Sequence, residues 1–186
     1  MVTLADATQL DTLIARLTEA IDQRMRAAAE EPWALVGVRS RGDVLAGRIA
    51  DRLGRERLAD RVGALDITLY RDDLSEVGPQ AKGRTTRIPF AIDGLNLVLI
   101  DDVVMTGRSV RAALTSLMDL GRPRRVWLAA LVDRPERELP IAVDFVGWDL
   151  GADAAGAPRP GEQVQVLLTP WDERDAIESR PGEADA

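Results

Sequence analysis

Apolar residues recur at spacings of three and four from position 10 to 28: Leu10, Leu13, Ile14, Leu17, Ile21 and Met25. That period predicts an amphipathic helix. Asp6 and Gln9 have the spacing of a capping box at its start. "WALVGV" (33–38) is a continuous apolar run broken by "SRGD" (40–43), and it predicts a buried strand. Val44, Leu45, Ile49 and Leu53 then mark a second amphipathic helix. "ALDITLY" (64–70) is β-branched and predicts a strand. "LNLVLIDDVV" (95–104) carries the strongest buried-strand pattern. Val110, Leu114 and Leu117 follow at helical spacing, and Gly121 and Pro123 end that helix. "RVWLAALV" (125–132) predicts another buried strand, with shorter candidates at 142–147 and 163–168. Two polar stretches interrupt the pattern. Residues 71–87 are long and punctuated by Gly and Pro, as in a functional or mobile loop, and residues 151–161 form a second loop. After Trp171 the chain is polar and acidic, and the tail 172–186 is expected to fray.

Helices alternating with near-continuous apolar strands predict an α/β protein with a mainly parallel central sheet covered on both faces. No repeat and no second domain is visible, so a single domain is expected over residues 1–171. In such sheets ligands bind beyond the carboxyl ends of the strands, at a topological switch point. Asp101 and Asp102 stand at such an end.

Composition narrows the chemistry. The 186 residues, 46% hydrophobic and 30% charged, suit an ordinary globular domain. No apolar run has the length of a membrane span, and the first residues lack a basic segment followed by an apolar one. A cytoplasmic location is therefore expected. The chain has no Cys and no His, which excludes disulfides, Cys or His metal ligands, a thiol nucleophile and a His general base. Carboxylates, hydroxyls, backbone amides, one Lys and 23 Arg remain. Arg forks match phosphate oxygens in pairs, although biased genomic composition accounts for much of the Arg excess. A net charge of −7 argues against a broadly basic nucleic-acid surface, but not against a local patch.

"NLVLIDDVVMTGRSVRAAL" (96–114) concentrates the remaining possibilities. Thr106-Gly107-Arg108-Ser109 opens a helix, whose first N–H groups lack internal partners and carry partial positive charge. Small residues there let a phosphate approach, and two hydroxyls add donors. No GxxxxGK[ST] loop occurs. The two carboxylates would repel a phosphate. They would instead accept hydrogen bonds from sugar hydroxyls, or hold Mg²⁺ through water. The combination fits a ribose 5-phosphate; the plainer alternative is an acidic strand end that caps the helix.

"VLIDDVVMTGRS" resembles the phosphoribosyl-diphosphate (PRPP) motif of type I phosphoribosyltransferases. "VGVRSRGDVLAGRIADRL" (36–53), "LDITLYRDDLS" (65–75), "DLGRPRRVWLAALVDRPERELPI" (119–141) and "DFVG" (144–147) are similar, in order, to the PyrR family of pyrimidine operon attenuators and uracil phosphoribosyltransferases. The resemblance implies the type I fold, with a small hood in segments about 134–168 and a mobile loop at 71–87. It implies the conversion of uracil and PRPP to UMP and diphosphate with Mg²⁺. Catalysis would rest on Asp101, Asp102 and Arg41. The nucleotide contacts would be Ser40, Arg41, the run Asp101, Asp102, Val103, Val104, Met105, Thr106, Gly107, Arg108 and Ser109, then Arg134 and Val164. Arg71, Lys82 and Arg84 would carry charge on the mobile loop. No protein group would ligate the metal directly. UMP or UTP, pyrimidine-operon leader RNA and further copies of the chain (a homodimer or higher oligomer) are the implied partners.

The chain departs from the family pattern in places. Pro135 and Glu136 replace a Gly-His pair, Ala142 stands where a basic residue is common, and "WDLGAD" follows Gly147. Glu19 replaces a His of RNA-binding members. These changes leave the PRPP motif intact and bear on the base and on RNA. Arg16, Arg24, Arg137 and the cluster Arg122, Arg124 and Arg125 are the candidates for a local basic patch. Two other readings stay open: a nucleotide-sensing RNA regulator with little catalysis, and a phosphoribosyltransferase for another base.

Overall fold

A computed structural model describes residues 1–29, 31–70, 85–152 and 161–182. The chain runs β1 (Val2–Ala5), α1 (Ala7–Ala27), β2 (Trp33–Val38), α2 (Arg41–Leu53), β3 (Val62–Leu65), β4 (Asn96–Val104), α3 (Arg108–Leu120), β5 (Arg125–Asp133), β6 (Phe145–Asp149), β7 (Glu162–Leu167) and β8 (Ala176–Pro181). Short 3-10 turns at Arg55–Leu58 and Thr68–Tyr70 flank β3. The expected capping box is present: Gln9 N–H donates to Asp6 Oδ1 and Asp6 N–H donates to Gln9 Oε1, each at 2.9 Å.

Five strands form a parallel sheet in the order β3-β2-β4-β5-β6. All six residues of β2 are buried, which explains its unbroken apolar run. Side-chain alternation divides the core in two. Val98 and Ile100 of β4 join Leu35, Ala129 and Leu131 beneath the stripes of α1 and α2. Leu97 and Leu99 join Val36, Leu128 and Ala130 beneath Val110, Ala113 and Leu117 of α3. From β2 the chain moves outward to β3, and from β4 it moves outward to β5 on the other side. The switch point therefore lies between β2 and β4. Gly37 and Ile100 are the last pair between β2 and β4, so β4 carries Asp101 and Asp102 past the point where that pairing ends.

A second, antiparallel sheet has the order β1-β8-β7 and is built from both ends of the chain. Ala5, Val166, Leu168 and Ile177 enter the same core as α1 and α2. Three expectations are corrected here. The segment after Trp171 is not frayed through 181: β8 is the middle strand of this sheet, and Ala176, Ile177, Glu178 and Ser179 are buried. Its pattern, AIESRP, hides that role because pairing on both sides, not local apolar content, orders it. The small sheet also extends beyond 134–168, since β1 and β8 belong to it, whereas β6 is an edge of the main sheet. In 64–70 the strand stops at Leu65: Asp66 Oδ1 accepts from the N–H (2.9 Å) and hydroxyl (2.6 Å) of Thr68, and the local turn wins over β propensity.

Arg71, Lys82 and Arg84 of the expected mobile loop lie outside the described residues. Both flanks of 71–84 are tied to the sheet region. Tyr70 hydroxyl donates to Asp119 at 2.7 Å. Asp66 N–H donates to Thr86 Oγ1 at 3.0 Å, and Arg87 exchanges backbone hydrogen bonds with Ala64.

Candidate active site

The end of β4 places two unlike carboxylates side by side. Asp101 is 6% exposed and its Oδ1 accepts the N–H of Asp102 at 3.1 Å. Asp102 is half-buried. Burial pushes its carboxyl above the ordinary 3.8, while the nearby Arg41 guanidinium and the hydrogen bonds it accepts pull the other way. Val104 is buried, Val103 half-buried and Met105 39% exposed, so the strand emerges from the core at Met105.

The following turn is shaped for close approach. Gly107 has φ +90°, a left-handed conformation that favours Gly, and α3 begins at the next residue. Gly107 offers the helix no side-chain cap, and Thr106 Oγ1 accepts from Arg108 N–H at 3.3 Å. Ser109 lies half-buried in the first turn of the helix. The altered "RPEREL" stretch buttresses this turn. Glu138 and Leu139 N–H donate to the Thr106 carbonyl at 3.0 and 3.1 Å. Arg137 donates to the Met105 carbonyl and to Asp133, and Arg108 Nε donates to Glu138 at 2.7 Å. Arg137, a candidate for a basic patch, is thus engaged in holding the turn.

The 39–42 loop sits against the acidic strand end because two glycines remove the intervening side chains. A Cβ on Gly42 would stand 2.5 Å from the Ile100 carbonyl oxygen and 3.4 Å from the Asp101 Cα. A Cβ on Gly37 would stand 2.1 Å from the Gly42 carbonyl oxygen. The Arg39–Ser40 peptide is cis, and Ser40 precedes α2 without a side-chain cap bond. Arg39 N–H donates to the Leu65 carbonyl at 2.9 Å, which ties the loop to β3. Arg41, the first residue of α2, forks onto Asp172: Nε donates to Oδ2 at 2.9 Å and Nη2 to Oδ1 at 2.8 Å. That pairing raises the Arg41 pKa, and Asp102 adds to the effect.

Arg134 follows β5 at the same end of the sheet, its N–H donating to the Val104 carbonyl at 2.9 Å. It is 4% exposed, a buried cation at the strand end. Nη1 donates to the Glu162 carbonyl at 2.7 Å, linking the two sheets, and Nε and Nη2 donate to Glu136. The Arg134 guanidinium holds the Glu136 carboxyl below its usual range. The family departure at Glu136 therefore supplies the partner of a buried cation. Val164 is half-buried in β7, opposite Ser179 and against the apolar core.

The structure thus gathers Asp101, Asp102, the 106–109 turn and the 40–41 loop at one switch point, with Arg134 at the adjoining strand end. Sequence reasoning missed Asp172, 131 residues from its partner Arg41. No local signal marks it, because the pair exists only after the small sheet docks.

The fold and this site define a transferase of ribosyl phosphates, and comparison with known proteins agrees. The phosphoribosyl transferase domain family matches residues 5–155. The chain is 50% identical over 149 residues to the bifunctional protein PyrR of Thermus thermophilus, covering 80% of this chain and 79% of that one. It is 44% identical over 177 residues to the bifunctional protein PyrR of Deinococcus deserti, covering 95% and 92%. The hypoxanthine phosphoribosyltransferase of Trypanosoma cruzi shares the fold at a TM-score of 0.62 and 14% identity, covering 98% of both chains. The chain belongs to the phosphoribosyl transferase domain family and, within it, to the PyrR family.

Proposed function

We propose that the protein transfers the 5-phosphoribosyl group of PRPP to uracil, giving UMP and diphosphate. The observation that carries this reading is the pairing, at one switch point, of the Asp101–Asp102 end of β4 with an uncapped Gly107 helix start. The helix start and the Thr106 and Ser109 hydroxyls receive the 5-phosphate. The carboxylates accept hydrogen bonds from the ribose diol and stabilise positive charge as the anomeric carbon loses diphosphate. The base nitrogen then bonds to that carbon. No protein nucleophile is needed, which suits a chain without Cys or His. Ser40 and Arg41 face the leaving group across the gap that Gly37 and Gly42 keep short, and Arg134 and Val164 border the nucleotide.

Among the described residues, no group of three or more acidic, His or Cys side chains stands where it would cage a metal. Asp101 and Asp102 suit an ion that arrives with the substrate. Mg²⁺ so bound would neutralise the diphosphate; the chain's own part is to hold the ribose and its phosphates.

The test is direct. Purified protein is incubated with PRPP, Mg²⁺ and each nucleobase in turn, and the nucleotide formed is identified. UMP is the expected product. A different sole product would reassign the base. UMP-responsive regulation through pyrimidine-operon leader RNA is a second reading, favoured by the word "bifunctional" in the relatives' names. Against a free basic patch, Arg24 and Arg125 lie over the Trp127 ring at 4.3 and 5.3 Å, and Arg124 pairs with Glu31 at 2.9 Å. Absence of nucleotide, with tight leader-RNA binding enhanced by UMP, would favour that reading over catalysis. Sedimentation would establish whether the homo-oligomer expected of the family forms.

A further inference from the structure

The turn between β7 and β8 carries two carboxylates that grip α2. Arg41 and Arg48 are seven residues apart and share one face of the helix. Arg41 forks onto Asp172, as described, and Arg48 forks onto Asp175, with Nη2 to Oδ1 at 3.0 Å. Arg48 Nη2 also donates to the Thr169 carbonyl and hydroxyl, each at 2.9 Å. Asp172 is no loose counter-ion. Its Oδ2 also accepts the Leu168 N–H at 2.8 Å, and its own N–H donates to the Leu168 carbonyl at 3.0 Å. The turn therefore fixes the carboxylate before it meets Arg41. The two pairs differ in one respect: the charge of Arg41 acts on Asp102 at the end of β4, whereas Arg48 lies two helical turns away.

We propose that Asp172 is a positioning residue for the leaving diphosphate. It holds the Nε–Nη2 edge of Arg41, so that the remaining Nη1 edge meets the diphosphate already oriented. This inference rests on the phosphoribosyltransferase reading above. A guanidinium has five donors, and a fork onto one carboxylate occupies two. An untethered Arg side chain would lose rotamer freedom on binding, which opposes affinity. Tethering removes that cost in advance, as preorganisation does elsewhere in catalysis. If Asp172 instead competed with diphosphate for Arg41, its removal would tighten binding. The two roles predict opposite signs.

The experiment compares full-length wild type with Asp172→Asn, Asp172→Glu, Asp175→Asn, Arg41→Ala and the double variant Arg41→Ala/Asp172→Asn. Nucleotide formation is measured against PRPP concentration, and thermal unfolding is recorded for each. Asp172→Asn should raise KM for PRPP about ten-fold while kcat changes less than about three-fold. Asp172→Glu should recover part of the loss. Asp175→Asn should lower Tm at least as much but leave KM within about two-fold, because it loosens the same turn without touching Arg41. Adding Asp172→Asn to Arg41→Ala should raise KM no further. An unchanged or lowered KM in Asp172→Asn would overturn the proposal, as would equal KM effects of Asp172→Asn and Asp175→Asn, or independent effects in the double variant. A normal KM in Arg41→Ala alone would remove Arg41 from the diphosphate site, and this inference with it. Calorimetric titration with magnesium diphosphate repeats the comparison without turnover. If no nucleobase is converted, that titration still decides the placement of Asp172 separately from the reaction.

Discussion

Asp101 and Asp102 are adjacent in the chain but differ in surroundings, and the difference has a measurable consequence. Burial raises the carboxyl of Asp102, so the proton leaves it at a pH above the ordinary 3.8. The role proposed for Asp102 needs the carboxylate form, so activity should fall as the pH drops through that raised value. The acid limb of the rate profile should therefore lie above 3.8. Asp101→Asn with Asp102→Asn should abolish turnover and leave the circular dichroism spectrum unchanged; near-wild-type rates would make the pair merely structural. Gly42→Ala tests the closeness of the loop. Its Cβ would press on the Ile100 carbonyl oxygen, part of the sheet backbone, which cannot yield without moving α2. A loss of about 1–3 kcal/mol in denaturant unfolding is expected, with a raised KM for PRPP. At Glu136 the change from the family pattern leaves the PRPP motif untouched but ties a buried Arg134. Glu136→Ala should destabilise the fold by about 2 kcal/mol in the same assay, because it strips a partner from a desolvated cation.

Among the elements, β4, the 105–107 turn and α3 were readable in advance because their signals are local. The apolar run, the acids, the small residues and the helical stripe follow one another within 25 residues of chain (96–120). The small sheet was not readable. β1 and β8 are short and mixed in polarity, and their order comes from pairing with each other and with β7. Removing residues 172–186 should therefore do more than trim a tail. It deletes the central strand of the sheet and both carboxylates that pair with Arg41 and Arg48 of α2, and the truncated protein should unfold well below the full chain in a thermal melt. The Arg48–Asp175 pair also has a pH signature. The Arg48 guanidinium holds the Asp175 carboxyl down at about 2, against 3.8 unperturbed. A depressed carboxyl stabilises the fold above its unfolded value and loses that contribution as pH falls toward the folded one. Wild type should thus lose more stability than Asp175→Asn between about pH 4 and pH 2 in urea titrations.

Across the whole molecule, the two sheets are not independent bodies. Ala5, Val166, Leu168 and Ile177 of the small sheet and its flank share one apolar cluster with α1, α2 and the main sheet. Arg41, Arg48 and Arg134 add charged ties across the same boundary. Unfolding followed by Trp fluorescence and by far-ultraviolet circular dichroism should therefore give coincident transitions. Two separated transitions would mean that the small sheet opens alone. Among the described residues no helix is long and apolar enough to cross a membrane. Several Arg side chains stand in close pairs with carboxylates, so the abundance of Arg serves internal cohesion as well as any phosphate.

The sequence by itself determined the parallel core, its strand ends and the acidic strand end with the helix start that follows it. Those features depend on hydrophobic period and on residues that act within one strand–turn–helix unit. The tertiary structure alone decided which distant charges meet. It brought Asp172 to Arg41, Glu162 to Arg134 and the two chain ends to one sheet. A salt bridge across 131 residues leaves no periodicity in either partner's neighbourhood. The same limit explains why the polar stretch after Trp171 reads as a frayed tail in the chain and becomes, once folded, the turn that clamps Arg41 and the middle strand of a sheet.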